Sequence, residues 1–258
     1  QLLKFTPDDV PIYIHVDGPK KSDQDVLRSN AVINVINRFQ EQNPKRIETK
    51  IQQENLGCYL GVREAINWVF MYCKNAIIIE DDLILARNYF SFIELNIELL
   101  ENQNVGSLSL YCEPIEYNPV SQKCVTKFHS SWGWVTSDVK WKCFTDQLNI
   151  KEFTIVLFSI WFKYGYQLTY RFYLTYQRLK KKELDSWAYR WQLSCLYFGL
   201  LSVYPQKSLT SNVGFSDLST HTKIKRIDIS KVSDLVKIEK TFFSNEEIKV
   251  NRQFELQI

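Results

Sequence analysis

Residues 76–85, AIIIEDDLIL, set three consecutive carboxylates, Glu80, Asp81 and Asp82, inside an otherwise apolar run. Burying unpaired charge is costly, so the cluster calls for a compensator, and a divalent cation held by hard oxygen ligands is the natural one. Ala76–Ile79 reads as a buried strand, which places the acids at its C-terminal end. In open α/β sheets, ligands sit beyond that end. Successive side chains of a strand face opposite sides, so Glu80 and Asp82 share one face and Asp81 takes the other, unless the strand ends sooner. The competing reading is capping of the helix that follows by Asp82 or Asn88. A cap needs one acid, however, and here there are three.

The chain before this stretch alternates in a regular way. Ile12, Ile14 and Val16 alternate with polar neighbours over Pro11–Val16, a strand pattern ending in the turn-forming Asp17-Gly18-Pro19. Ser22 and Asp25 offer a helix cap, and Val32, Val35, Ile36 and Phe39 recur at helical spacing. An extended piece over Ile47–Gln52 leads through Asn55-Leu56-Gly57 to a helix whose expected buried stripe is Val62, Ile66, Val69, Phe70 and Cys73. After the acids comes a further helix with Phe90, Ile93, Ile97 and Leu100 inward. The order β-α-β-α-β-α is that of an α/β domain with a mostly parallel central sheet covered on both faces. Right-handed crossovers then bring Asp17, the Asn55–Arg63 region and Glu80–Asp82 to one rim.

After Val105 the rhythm changes to short strands, Val105–Tyr111 and Trp132–Thr136. They are followed by an aromatic and basic stretch, Phe153–Lys182, that forms one or two amphipathic helices. That stretch either packs on the sheet with a solvated basic end or approaches a membrane surface. We divide the chain into one domain over 1–222, with halves over 1–104 and 105–222, and a polar extension over 223–258; the resemblance given below implies that the halves are the nucleotide-binding and acceptor halves.

Hydrophobic residues make up 45% and charged residues 24% of the 258, which suits one generous globular domain. A net charge of +3 does not point to nucleic acid. The six cysteines include no Cys-x-x-Cys pair, a pattern of free thiols rather than of a zinc site or a disulfide framework. No signal segment and no apolar run of membrane-spanning length is visible, so a cytoplasmic protein is expected, at most peripheral to a membrane.

Six pieces in order carry a resemblance. They are His15-Val-Asp-Gly-Pro19, Asn55-Leu-Gly57, Glu80-Asp-Asp82, Trp132-Gly-Trp134, Asp185-Ser-Trp187 with Trp191, and Ser211-Asn-Val-Gly-Phe215 through His221. Together they resemble the GT-A nucleotide-sugar transferases. More narrowly they are similar to bacterial hemolytic-protein-like sugar transferases, distant relatives of the Golgi N-acetylglucosaminyltransferases. The resemblance implies a GT-A fold with a C-terminal acceptor lobe. It also implies an inverting transfer from a UDP- or GDP-linked sugar to a glycan or lipid-linked acceptor.

By the same resemblance, Asp82 holds Mn²⁺ or Mg²⁺, Glu80 and Asp81 contact sugar and ribose, Asp17 faces the nucleotide base, and Asp185 is the general base. Asp185 as a helix N-cap is the plain alternative, and one residue can be both. Trp132, Trp134 and Trp187 are candidates for acceptor binding; Trp132 and Trp134 either stack a sugar ring or pack the sheet edge. His221 is a candidate for the diphosphate or metal, or a surface histidine. Arg63 is a candidate phosphate neutraliser, or a helix-surface arginine. His15 and His129 read as structural.

Two departures stand out. The family's opening strand and Asn-Arg-type turn are not among these residues, and Ala188 stands where a further acid is expected. Two other classes remain open at this stage: a metal-dependent nucleotidyltransferase or phosphohydrolase, which also needs clustered acids, and a non-catalytic carbohydrate-binding domain.

Overall fold

The computed structural model describes residues 1–112 and 125–214. The expected alternation appears in its first half. After a short helix α1 (Leu2–Phe5), β1 (Ile12–Val16) pairs in parallel with β2 (Ile47–Ile51), Ile12 opposite Ile47, through the connecting helix α2 (Asp23–Gln42). Ser22 caps α2 by accepting the Asp25 N–H at 3.1 Å. Helix α3 (Gly57–Val69) leads to β3 (Asn75–Ile78), and the acids follow on a turn before β4 (Leu83–Leu85). Helix α4 (Tyr89–Asn96) continues into a 3₁₀ turn, Ile97–Glu101.

Two of the expected helix stripes differ from the structure. No residue of α2 is buried, and Val32, Val35 and Phe39 stand half exposed. The helical period is there, but no described element covers that face. In α3 the fully buried positions are Gly61 and Ile66, while Val62 and Phe70 are partly buried. Cys73 lies beyond the helix end.

The sheet also differs. Strand β5 (Val105–Ser109) is followed by β6 (Val125–Thr126), β7 (Trp134–Ser137), β8 (Leu201–Val203) and β9 (Thr210–Asn212). Among the described residues the main sheet has five strands in the order β3-β7-β5-β8-β6, of which only β5 and β8 run parallel. The sheet is therefore mixed, not mostly parallel. Strand β7 returns to insert antiparallel between β3 and β5, while β1 and β2 form a separate pair. Period and order of elements specify which segments are strands, but which strands become neighbours is a tertiary matter.

Neighbouring residues of β7 feed two cores. Val135 packs with Leu85, Phe92, Ile93, Leu108 and Val203, while Trp134 packs with Ile66, Trp141, Trp187 and Trp191. Since alternate side chains face opposite sides, these cores lie on opposite faces of the sheet. Trp134 stacks on Trp187 at 5.5 Å and 14° between ring planes, an arrangement worth about 1 kcal/mol beyond area burial.

A short helix α5 (Asp138–Trp141) precedes the long aromatic stretch, which forms two helices, α6 (Ile150–Tyr164) and α7 (Tyr166–Lys180), with Gly165 between them at φ 80°. They pack with helix α8 (Trp187–Phe198) around Phe153, Val156, Ile160, Tyr176 and Leu179. The opposite side of α8 supplies Trp191 and Cys195 to the tryptophan core, so α8 fastens the hairpin to the sheet. No described helix is long and apolar enough to cross a membrane.

Candidate functional site

Asp17 ends β1 and holds the start of α3 in place. Its carboxylate accepts the backbone N–H of Leu56 at 2.7 Å, of Gly57 at 3.0 Å and of Gly18 at 2.9 Å, and the Asn55 side-chain amide at 3.0 Å. The turn it organises admits no side chain at Gly18, where a Cβ would overlap the Glu54 backbone. Asp17 is thus at the expected rim, with its acceptor capacity spent on the protein's own amides.

Asp185 reaches the same helix from 127 residues away, accepting the Cys58 N–H at 2.9 Å and the Tyr59 N–H at 3.3 Å. Its own helix, α8, is capped by Ser186, which accepts the Tyr189 N–H. Asp185 therefore caps a helix, but α3 rather than the one that follows it. Gly57, at φ 77°, makes room: a Cβ there would sit 2.5 Å from the Asp185 carboxylate. The unpaired amides and dipole of the α3 N-terminus favour an anion at this place.

Glu80 lies at the end of β3, where its carboxylate accepts the Trp187 indole N–H at 3.2 Å. Burial pushes Glu80 up to about 7, against that hydrogen bond and with the Asp82 and Asp81 charges adding to the rise. Asp81 is exposed on the turn. Asp82 accepts the Asn212 amide at 3.0 Å on one oxygen, while its other oxygen is buried without a hydrogen-bond partner. Burial raises its pKa too, countered by the Asn212 bond and reinforced by Asp81. Neither Asp82 nor Asn88 caps α4 through its side chain. Cys58 joins the groups: burial raises its thiol first, then the charges of Glu80 and Asp185, so both acids lie within electrostatic reach of it.

The remaining candidates divide. Arg63 is committed, donating to Asp146 at 2.8 Å and Glu64 at 3.0 Å, and to the Tyr59 hydroxyl at 3.0 Å. Its cluster includes Arg190, whose guanidinium lies 4.1 Å over the Tyr59 ring. Trp134 and Trp187 are 0% and 1% exposed, so neither offers a ring face to a sugar: the packing alternative holds for Trp134, and the acceptor role expected of Trp187 is corrected by its burial in the tryptophan core. Trp132 is half-buried and meets Tyr111 edge-on at 4.5 Å. His15 bonds Gln52 at 3.0 Å, as a structural histidine does. His221 and residues 223–258 lie outside the described residues. Cys58, Cys73, Cys143 and Cys195 carry free thiols.

Sequence reasoning missed Asn212 as the Asp82 partner and the grouping of Tyr59, Asp146 and Arg190. Asn212 stood inside a quoted motif, but Asp146 gave no local signal and is 83 residues from Arg63. No family model matches this chain, and no curated protein does.

A divalent cation fits the acids in a limited way. Among the described residues, no group of three His, Cys, Asp or Glu side chains is placed to hold a metal ion. A cation here would meet Asp82 and its neighbours, not a full cage. Magnesium-type sites are commonly completed in that way by one or two carboxylates plus substrate phosphates. One oxygen of Asp82 is buried without a hydrogen-bond partner, an acceptor that such a cation could use.

Proposed function

We propose that this chain is a metal-dependent, inverting glycosyltransferase of GT-A type, moving a sugar from a UDP- or GDP-linked donor to a hydroxyl of a glycan or lipid-linked acceptor. The observation that supports it most is the Asp82 carboxylate, half-satisfied at a strand end beside a Glu80 whose proton is held to about pH 7. Two carboxyls made reluctant to ionise by burial gain from a cation more than two solvated ones would. Mn²⁺ or Mg²⁺, held by Asp82 together with the donor diphosphate, would supply compensation for negative charge on the leaving group.

Asp185 takes the base role. Held on the α3 amides, it is fixed in orientation. Proton removal from an acceptor hydroxyl by a positioned carboxylate is worth on the order of 10²–10⁴ in rate. Glu80 and Asp81 line the donor side, and Trp132 is the tryptophan still able to meet an acceptor.

Calorimetric titration of the chain with Mn²⁺ and UDP or GDP tests the reading, coupled to product analysis. Metal-dependent nucleotide binding that Asp82→Asn weakens at least tenfold is expected, with sugar appearing on an acceptor. Absence of nucleotide binding in the presence of Mn²⁺ rejects it. Nucleotide incorporation or free phosphate as the product shifts the assignment to a nucleotidyltransferase or phosphohydrolase.

A further inference from the structure

The α6–α7 hairpin carries a surface that the site above does not use. Phe153, early in α6, stacks on Tyr176, late in α7, so the two helices run antiparallel and Gly165 forms their tip. Their inner faces fill the small core with α8. Their outer faces carry exposed aromatic side chains beside basic ones: Phe158 is 51%, Trp161 54%, Phe162 86% and Tyr166 70% exposed. Isolated apolar side chains on a surface need no explanation, but a contiguous set does. These are contiguous, since Phe158, Trp161 and Phe162 lie within 6.4 Å of one another, ring to ring. On α7, Tyr166, Tyr170 and Tyr173 continue as a stacked row at 5.8 and 6.5 Å.

Charge says what covers the surface. From Phe153 to Lys182 the sequence holds Lys163, Arg171, Arg178, Lys180, Lys181 and Lys182, and no Asp or Glu. A protein partner matched to such a surface would need an acidic rim around an apolar centre. A bilayer with anionic headgroups offers both at once over any area. Tryptophan and tyrosine favour the headgroup level, and basic residues draw to it electrostatically. Helices that lie in that plane combine an apolar aromatic face with a Lys/Arg-rich polar one.

We propose that the α6–α7 hairpin is a membrane-docking surface that seats this protein on anionic lipid, with Trp161, Phe162 and Tyr166 at the tip entering the headgroup layer and the Arg178–Lys182 end held over it by charge. Docking needs no sugar transfer, so it stands or falls apart from the enzymatic assignment.

Co-sedimentation of the full chain with phosphatidylcholine vesicles, with and without phosphatidylglycerol, tests it. Binding to the anionic vesicles only, lost progressively with added salt, is expected. Trp161→Ser with Phe162→Ser should lower partitioning at least tenfold while thermal unfolding stays where it was, because both side chains are largely exposed. Lys180→Glu with Lys182→Glu should lower it by a similar factor and flatten the salt dependence. Trp161 is the one tryptophan of the described set that is exposed, so its fluorescence should shift to the blue on vesicles and Trp161→Phe should abolish the shift. No partitioning into anionic vesicles overturns the proposal. So does a dimer in sedimentation equilibrium that Phe162→Ser dissociates, since a second copy would then be the cover.

Discussion

Asp185 caps α3, the base role is our proposal for the same carboxylate, and two substitutions separate the two. Asn keeps an oxygen for the Cys58 and Tyr59 amides but takes no proton at neutral pH. Asp185→Asn should therefore lose transfer by a factor on the order of 10²–10⁴ with little change in melting temperature. Asp185→Ala removes the cap as well and should cost about 1 kcal/mol of stability in addition, read by denaturant unfolding of both variants. Equal loss of activity and stability in the two would leave Asp185 as a cap alone. The carboxylate's identity and its neighbour Ser186 were plain in the sequence. Its true partner, the start of α3, was not, because 127 residues separate donor and acceptor.

At the scale of elements, the sequence marks the Ser22 cap of α2, and the structure adds a second cap on α6. Asn149 and Glu152 form a full capping box at the start of α6, with Asn149 accepting from Lys151 and Glu152 amides and Glu152 accepting the Asn149 N–H at 2.7 Å. Asn149→Ala should destabilise the protein by about 1 kcal/mol, and Asn149→Asp should retain most of it, as measured in urea. Because α6 is half of the hairpin, that loss belongs to the hairpin, and amide hydrogen exchange should rise there first. Helix α2 teaches the opposite lesson. Its apolar positions recur as a buried helix's would, yet they are half exposed. Period sets the shape of a face, and packing alone decides whether the face is covered.

At the scale of the whole molecule, His129 is a buried titratable group beside the tryptophan core. Its ring lies among Trp134, Trp187 and Trp191, 4.5 Å from the first, and Nδ1 bonds Ser107 on β5 at 3.3 Å. Burial alone lowers its pKa from 6.5 to about 3. A folded-state pKa below the unfolded one means that the unfolded chain binds the proton first. The stability His129 gives is thus present above pH 6.5 and is lost as pH falls toward about 3. Chemical unfolding followed across that window should show the slope in the parent and a flatter one in His129→Gln. The comparison concerns slope, so any uniform loss from repacking the cavity does not obscure it. An unchanged slope would show that other groups govern acid unfolding.

The sequence by itself determined where the strands and helices lie over much of the chain, that an acid cluster ends a strand, and that an aromatic, acid-free stretch forms helices. Those properties depend on neighbours within a turn or two. Only the tertiary structure decided that the sheet is mixed, that Trp134 and Trp187 are core, that Asp17 and Asp185 converge on one helix end, and that one oxygen of Asp82 has no partner. Each of these depends on groups distant in sequence becoming adjacent. Adjacency is set by how whole surfaces bury against one another, which no local pattern encodes.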